Sequence, residues 1–333
     1  MEVLTDSRWD GTSGIGRVYR EVIKRAPPNI KISTISKSFS LGSPLSPLYL
    51  TKEIISRSGD IFWSPSFMPP LFSNIPYVIT VHDLTHLFYY SKFHAYYTRY
   101  VLAPLFKNSR TVITVSQFTK QLLTNELGLS SDLIKLVYNG VDDSFFTNKD
   151  TYSVNRPYIL YVGNRRAYKN IERMIIAFSG ANICKDTVFA LSGERSPELD
   201  KIIVENNVDG RIFFLGHIDE KKLPSLYKGA IALFYMSLME GFGLPIIEAM
   251  ASGTPVITSN TSSLAEVSNG AAAICSPWDV KEMMQQLELV INVPTYRSEL
   301  QQKGLENAKR FEWEKTATQT WEIITSMPTR NDH

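Results

Sequence analysis

The alternation of short apolar segments with amphipathic ones is the feature of this sequence that most restricts its fold. In the first half, strands are predicted at Val3–Thr5, Ile61–Trp63, Tyr77–Val81, Thr111–Val115 and Ile134–Val137. Helices are predicted there at Gly16–Lys24, Phe93–Phe106 and Gln117–Leu127. Such alternation is typical of βα units, in which parallel strands form one sheet covered by helices.

The same alternation begins again after Asp142–Pro157, a polar stretch without a clear period where we place a linker. Strands are predicted beyond it at Tyr158–Val162, Val188–Ser192, Ile212–Leu215, Ile231–Tyr235 and Pro255–Thr258. Helices are predicted at Ile171–Phe178, Pro197–Glu205, Leu223–Lys228 and Val280–Val290. The sequence therefore predicts an α/β protein with two doubly wound parallel-sheet domains, at residues 1–148 and 149–312. Residues 313–333, with an amphipathic pattern over Trp313–Met327, are expected to return as a helix to the first domain.

A glycine-containing stretch between two acids, from Glu240 to Glu248, carries the strongest chemical signal. Pro245 suits the first position of a helix, since its missing N–H would have no partner there. Gly253, followed by Thr-Pro, is typical of a helix end. Glu240 is therefore expected in a loop, and Glu248 in the first turn of the helix that follows it.

This stretch predicts a site for a sugar nucleotide. Gly241 and Gly243 let the backbone approach a ligand closely, and the helix N-terminus favours an anion such as a diphosphate. Glu240 could accept hydrogen bonds from sugar hydroxyls, and Glu248 from ribose hydroxyls. The alternative is a capped strand–turn–helix with ordinary surface acids, because short motifs also occur by chance.

Two cations are predicted at a strand end of the second domain. Arg166 and Lys169 follow the strand Tyr158–Val162 and precede a helix, so they could bind one phosphate group together. Solvated charges in a polar turn are the alternative for either residue alone. Because no Asp-x-Asp pair occurs in the sequence, we expect no metal ion and no other cofactor, with positive charge supplied by side chains and helix N-termini.

Two motifs of the first half give weaker evidence for a function. Gly14 and Gly16 open the first predicted helix, but the third glycine of a dinucleotide fingerprint is missing, which argues against a nicotinamide-dependent dehydrogenase. His82 and His86 are spaced as in zinc proteases, yet Asp83 replaces the glutamate base and the pair directly follows a strand, which argues against zinc. His82 is instead predicted to hydrogen-bond a bound sugar.

Residues 88–110 combine aromatic rings with Lys92, Arg99, Lys107 and Arg110, and no acid occurs between Asp83 and Glu126. This basic-aromatic segment could lie on anionic lipid headgroups or receive a phosphate-linked acceptor. An amphipathic helix with its aromatic rings in the core and its lysines in solvent fits the pattern equally well.

The overall composition indicates a globular protein that does not bind nucleic acid, with 44% hydrophobic residues and a net charge of +2. No apolar run approaches the roughly 18 residues of a membrane helix, and the first residues do not read as a secretion signal. We therefore expect a cytoplasmic protein, with any membrane contact peripheral and on the inner face of the cell membrane. Cys184 and Cys275 are expected to be buried, reduced thiols.

Motifs along nearly the whole sequence resemble those of retaining glycosyltransferases of family 4. The most specific is the pair of glutamates separated by seven residues, and the others are Gly14–Gly16, Val81–Leu84, Thr114–Lys120, Asn139–Asp142, Gly163–Asn170, Leu215–Ile218 and Ser259–Val267. The resemblance implies the GT-B fold, in which two Rossmann-like domains face each other. Met239 and Ala265 depart from the family pattern, where an aromatic or basic residue and a proline are common.

The resemblance also implies a role for individual residues. Arg166 and Lys169 would bind the donor diphosphate, Glu248 would bind the donor ribose, and Ile218 would lie beside the base. The donor sugar would be held by Glu240 and the backbone of the four residues after it, Gly241, Phe242, Gly243 and Leu244. From the first domain, His82 would meet the reacting sugar, and the loop with Gly14 and Gly16 would close against the donor.

The activity implied is retaining, metal-independent transfer of a hexose. The stretch Gly163–Asn170 looks like that of mannosyltransferases, which favours GDP-mannose as the donor. The implied acceptor is a polyprenyl-diphosphate-linked bacterial surface glycan, such as the O-antigen of lipopolysaccharide. Two alternatives remain: a transferase of the same fold that uses a UDP-hexose, and a non-catalytic sugar-nucleotide-binding partner in a glycan assembly complex.

Overall fold

The computed structural model describes residues 1–11, 13–35 and 39–326. By its internal contacts the chain divides into two compact units. The first comprises Met1–Gly140 and Glu312–His333, and the second comprises Val141–Phe311. The chain therefore leaves the first unit after Gly140 and returns to it at Glu312. Met327, where the last predicted helix ends, lies outside the described residues.

Each unit contains a six-stranded sheet in the described residues, and the strand pairs are parallel. The strands of the first unit are β1 (Glu2–Asp6), β2 (Lys31–Ile35), β3 (Ile61–Ser64), β4 (Tyr77–Val81), β5 (Thr111–Thr114) and β6 (Ile134–Leu136). Those of the second are β7 (Tyr158–Tyr161), β8 (Val188–Leu191), β9 (Ile212–Phe214), β10 (Ala232–Tyr235), β11 (Val256–Ser259) and β12 (Ala273–Cys275). The predicted doubly wound architecture of each half is confirmed.

Helices connect the strands in both units. The first unit contains α1 (Gly14–Lys24), α2 (Ser46–Ile55), α3 (Thr85–Phe88), α4 (Lys92–Tyr97), α5 (Ala103–Lys107), α6 (Gln117–Leu127) and α15 (Trp313–Thr325). The second contains α7 (Asp143–Thr147), α8 (Ile171–Gly180), α9 (Pro197–Glu205), α10 (Leu223–Gly229), α11 (Leu244–Ala251), α12 (Ser262–Ser268), α13 (Val280–Asn292) and α14 (Pro294–Ala308). A π-helical segment, Thr98–Leu102, joins α4 to α5, so the predicted helix Phe93–Phe106 is one helical run with a wider turn in its middle.

The order of the strands defines one switch point in each sheet. The first sheet runs β2-β1-β3-β4-β5-β6 and the second runs β12-β11-β10-β7-β8-β9. The direction of winding reverses between β1 and β3 in the first unit, and between β7 and β10 in the second. Ligands of open parallel sheets bind beyond the carboxyl ends of the strands at such points.

The core of each unit lies between its sheet and the covering helices. Every residue of β4, β7 and β10 is buried, as expected for parallel strands covered on both faces. In the first unit, the Trp63 ring of β3 packs against Tyr19 of α1 and Trp321 of α15, with ring centroids 5.9 and 6.1 Å apart. The Trp321 indole N–H also donates to the backbone oxygen of Val22 at 2.9 Å, which ties α15 to α1.

Some elements were not predicted from the sequence. The clearest is α14, whose buried residues are Leu300, Gly304, Asn307 and Ala308. This stripe is narrow and partly polar: Asn307 Nδ2 donates to the backbone oxygen of Val267 at 2.9 Å. A helix that packs through a glycine and an asparagine lacks the wide apolar period that identifies amphipathic helices. The proposed linker, in turn, contains the short helix α7.

The structure bears on the predictions made for the two cysteines and for membrane-spanning helices. Cys275 is buried, and burial raises the pKa of its thiol to about 12, but Cys184 is exposed, so the expectation of two buried thiols was wrong. The charged neighbours of Cys184, Lys185 and Asp186, are typical of a surface turn. Among the described residues, no helix combines the length and the apolarity needed to cross a bilayer.

Candidate active site

The switch point of the second sheet brings together the two loops that the sequence analysis singled out. Lys169 lies in the loop after β7, and Glu240 lies in the loop after β10. Asn170, the residue after Lys169, has a left-handed backbone conformation with φ 63°. Its Nδ2 donates to the backbone oxygens of Met236 at 3.0 Å and Pro277 at 2.8 Å. The loop that carries Lys169 is therefore fixed to the end of β10.

Lys169 and Glu240 form a buried ion pair. Lys169 Nζ donates to Glu240 Oε1 at 2.5 Å, and the two side chains are only 8% and 13% exposed. The Tyr235 hydroxyl accepts from Nζ at 2.9 Å and donates to Oε1 at 2.8 Å. Because a buried charge is costly unless it is paired and hydrogen-bonded, these three groups stabilise one common arrangement.

The protonation of this cluster follows from burial and charge. Burial by itself lowers the pKa of Lys169, but the charges of Glu240 and Tyr161 and the hydrogen bond to Glu240 outweigh it, so the pKa is raised. Burial, followed by the Glu240 charge, raises the pKa of Tyr235 well above its usual value. The end of β10 thus presents an ammonium beside a carboxylate. These groups can bind an anion and a hydroxyl-bearing ring in neighbouring positions.

The loop after β10 is held by the start of α12. Ser262 Oγ accepts from the Glu240 backbone N–H at 3.2 Å. Ser263 Oγ donates to the backbone oxygens of Glu240 and Phe242, both at 3.0 Å. The Phe242 ring is buried and meets Phe311 edge-on, with centroids 5.6 Å apart. The backbone of Gly241–Leu244, which is predicted to hold the donor sugar, is therefore anchored at Glu240 and at Phe242.

Helix α11 follows this loop directly. Its N-cap residue Gly243 has φ 103°, a left-handed backbone conformation that favours glycine. The helix begins at Leu244, one residue before Pro245. Glu248 therefore lies one residue beyond the first turn, and the prediction that it lies in the first turn was wrong. Glu248 is 4% exposed, and its Oε2 accepts from the Tyr227 hydroxyl at 3.0 Å.

The remaining predicted donor residues lie at neighbouring strand ends. Arg166 follows β7 and is exposed, and Ile218 follows β9 and is half-buried. The preceding residue, Arg165, has a structural role: its Nη2 donates to the backbone oxygen of Ser192 at 2.6 Å, and its guanidinium lies 5.0 Å from the centre of the Phe214 ring. Arg165 is therefore held by the second unit itself, and the phosphate contact stays a prediction for Arg166.

Gly14 and Gly16 belong to the first unit, at the N-terminus of α1. Ser13 caps this helix, since its Oγ accepts from the Gly16 backbone N–H at 3.2 Å. A Cβ on Gly16 would lie 2.1 Å from the Gly11 backbone oxygen and 2.8 Å from that of Trp9. Glycine is therefore required at this position by the chain itself, independently of any ligand.

Replacing Gly16 by alanine is expected to lower the free energy of unfolding by about 3 kcal/mol, because the added methyl group overlaps rigid backbone atoms. Urea denaturation measures this change. Gly42→Ala is the matched control, since a Cβ there has nothing within 4 Å. Equal stability of the two variants would contradict the close backbone approach at Gly16.

His82 follows β4 in the first unit, and its Nε2 lies 2.8 Å from the backbone oxygen of Pro65. Because a carbonyl oxygen only accepts, Nε2 must carry the proton. Burial lowers the pKa of His82, although the Pro65 carbonyl and Asp83 partly oppose this. The neutral ring then offers Nδ1 as an acceptor, which suits the predicted hydrogen bond to a sugar hydroxyl.

Several residues of the second-unit site were given no role in the sequence analysis: Tyr235, Tyr227, Asn170, Ser262 and Ser263. Asn170, Ser262 and Ser263 lie in stretches that were noted only as motifs. Tyr235 ends the apolar run of β10, and a hydroxyl at the carboxyl end of a buried parallel strand is a signal that could have identified it.

Two family models match the chain. The model described as "Glycosyl transferases group 1" covers residues 144–310. The model described as "Glycosyltransferase Family 4" covers residues 12–145. The first match corresponds to the second unit and therefore includes the loops that contain Lys169 and Glu240, together with α11.

Among curated proteins, the chain is similar to two O-antigen enzymes. It is 32% identical over 224 residues to "O-antigen chain mannosyltransferase RfbU" of Salmonella typhimurium, covering 65% of this chain and 61% of that protein. It is 29% identical over 263 residues to "O-antigen chain mannosyltransferase B" of Escherichia coli, covering 73% of this chain and 68% of that protein. The match thus spans about three-fifths to two-thirds of the length of these relatives.

Solved structures with the same fold include Anabaena Alr3699/HepE in complex with UDP and glucose, with a TM-score of 0.79 and 17% identity over 98% of this chain and 100% of that one. Another is WaaG, a glycosyltransferase involved in lipopolysaccharide biosynthesis, with a TM-score of 0.78 and 12% identity over 98% and 100% of the two chains. These identities support the GT-B fold alone. Because the group 1 model covers about half of the 333 residues, this chain belongs to the glycosyl transferases group 1 family.

Proposed function

We propose that this protein transfers mannose from GDP-mannose to a lipid-linked bacterial surface glycan, such as an O-antigen precursor. The observation that carries the proposal is the buried Lys169–Tyr235–Glu240 cluster at the switch point of the second sheet, next to the N-terminus of α11. The choice of mannose is supported by the relatives named O-antigen mannosyltransferases.

The proposed reaction follows from the charges at this site. Lys169 and Arg166 bind the donor diphosphate, where negative charge develops as the bond to the sugar breaks. The N-terminus of α11 adds a partial positive charge and backbone N–H groups on the same side. Glu240 and the backbone of Gly241–Leu244 orient the sugar, Glu248 binds the ribose, and Ile218 lies beside the base.

For the first unit we propose substrate contacts at three residues. His82 accepts a hydrogen bond from a hydroxyl of the reacting sugar through Nδ1, which the Pro65 contact of Nε2 leaves as the acceptor nitrogen. The loop that contains Gly14 and Gly16 contacts the donor. The acceptor is a polyprenyl-diphosphate-linked glycan, which places the reaction at the inner face of the cell membrane.

Metal independence and retention of the anomeric configuration are parts of the same proposal. The sequence has no Asp-x-Asp pair, and the side chains of Arg166 and Lys169 can supply the charge that a divalent ion would supply elsewhere. Activity that is unchanged in excess chelator would support the first part. An α-linked product from an α-linked donor, identified by NMR, would support the second.

A UDP-hexose donor is the second candidate. It is favoured by the similarity to the Anabaena structure, which contains UDP and glucose. The fold and the phosphate contacts are compatible with either nucleotide, because Lys169 and the N-terminus of α11 would contact the diphosphate rather than the base. Specificity for the base would depend on the region of Ile218.

Calorimetric titration with GDP and with UDP, without added metal, tests the donor. We expect GDP to bind at least about tenfold more tightly, a difference of about 1.4 kcal/mol. Preference for UDP would overturn the mannose donor and keep the transferase. Binding of neither nucleotide would contradict the proposed site, and nucleotide binding without transfer to lipid-linked acceptors would indicate the non-catalytic partner.

A further inference from the structure

The helical run from α4 to α5 exposes aromatic rings. Phe93, Tyr96 and Tyr100 are 59%, 67% and 65% exposed, and none of the six residues of α4 is buried. Large rings in a helix of a globular protein ordinarily face the core. The alternative interpretation of the sequence, an amphipathic helix with its aromatic rings in the core, is therefore wrong for these three residues.

These rings share one side of the helical run. Phe93, Tyr96 and Tyr100 follow the spacing of neighbours on a helix surface, and the Tyr96 and Tyr100 ring centroids are 4.6 Å apart. Thr98 and Leu102, on the π-helical segment, are buried and fix the opposite side to the unit. The exposed side, which we call the aromatic face, also lines a shallow groove with Lys92 and Val101.

The segment that carries the aromatic face has an excess of positive charge, although Arg99 Nη2 pairs with Glu126 Oε2 at 3.0 Å. Between Asp83 and Glu126 the sequence contains no acid and five Lys or Arg residues: Lys92, Arg99, Lys107, Arg110 and Lys120. A second copy of this chain would bring like charges together across the face, which is unfavourable. An anionic surface is complementary to it, and tyrosine rings are well suited to the boundary between headgroups and acyl chains because they have an apolar body and a polar tip.

We propose that the aromatic face lies on anionic phospholipid headgroups. Phe93, Tyr96 and Tyr100 enter the interfacial region, and the cations of the segment neutralise lipid phosphates. This inference deepens the proposed function, because it places the protein where a lipid-linked acceptor is found. Its test uses no sugar nucleotide, so its failure would not affect the donor site.

Sedimentation of the full chain with lipid vesicles tests the proposal. We expect at least about tenfold stronger binding to vesicles of phosphatidylcholine with phosphatidylglycerol than to phosphatidylcholine alone, and weaker binding in high salt because the headgroup attraction is screened. The triple variant Phe93→Ser, Tyr96→Ser, Tyr100→Ser should lose most of this binding. Phe213→Ser, which changes a 42% exposed ring of the second unit, is the matched control and should bind as the unchanged protein does.

Because the three rings are exposed, the triple variant should keep its thermal unfolding midpoint and its affinity for GDP. Equal vesicle binding by the triple variant and the Phe213→Ser control would overturn the proposal. So would equal binding to neutral and anionic vesicles. A concentration-dependent dimer that the triple variant abolishes, without vesicle binding, would assign the face to a second copy instead.

Discussion

Replacing Lys169 by alanine is expected to lower the turnover number by about 10²–10³-fold, the usual cost of removing a preorganised group that stabilises charge in the transition state. The ammonium is buried and fixed by Tyr235 and Glu240, so water cannot readily take its place. Steady-state rates at saturating donor measure the effect. A variant with a normal rate would rule out the assignment of Lys169 to the leaving diphosphate.

This substitution also changes stability, and the two effects can be separated. Without the ammonium, Glu240 remains a mostly buried carboxylate with only the Tyr235 hydroxyl donating to Oε1. Breaking a buried ion pair from one side costs about 3–5 kcal/mol. The double variant Lys169→Ala, Glu240→Gln should recover much of the unfolding free energy and none of the turnover. Because Glu240 itself orients the sugar in the proposed site, the turnover of Lys169→Ala is compared with that of the unchanged protein at a temperature where both are folded.

Glu248→Ala is expected to weaken GDP binding by about 10–100-fold, because hydrogen bonds to a charged group contribute about 1.5–3 kcal/mol. Calorimetry with GDP measures this, and comparison with inorganic diphosphate locates the loss. If Glu248 binds the ribose, affinity for diphosphate should stay unchanged in the variant. An unchanged GDP affinity would remove the ribose role.

Tyr227→Phe is the control for this experiment. It removes the hydroxyl that donates to Glu248 Oε2 and leaves the carboxylate in place. We expect a small loss of stability and nearly normal GDP affinity. A loss of GDP affinity as large as that of Glu248→Ala would mean that the Tyr227 hydrogen bond, by orienting the carboxylate, is essential for nucleotide binding.

The fold was predictable from the sequence wherever the residue pattern of a helix or strand agrees with its surroundings in the folded protein. The helices Gln117–Leu127 and Pro197–Glu205 were predicted with their observed bounds, because Ser116 and Gly128 cap the first and Pro197 begins the second. Strand β2 was not predicted: in Lys31–Ile35 only Ile35 is buried, so the continuous apolar run of a central strand is absent. Short edge strands of this kind depend on their neighbours more than on their own sequence.

The candidate site was predictable in part. The loops with Lys169 and Glu240 could be placed because ligand sites lie at strand ends, but their ion pair joins residues 71 positions apart in the sequence. No local pattern specifies that contact or the Tyr235 hydroxyl that bridges it. At Gly16 the sequence predicted close approach of a ligand, whereas the structure reveals a close approach of the chain to itself at Gly11.

The return of the chain to the first unit at Glu312 has a consequence for biosynthesis. A ribosome completes the second unit, Val141–Phe311, before it makes α15, whose Trp321 packs against Trp63 and donates to Val22. The first unit begins earlier but lacks part of its core until the last helix emerges. The usual order, in which the N-terminal domain folds first during synthesis, would then be reversed. During that interval the side of Trp63 that packs against Trp321 is uncovered.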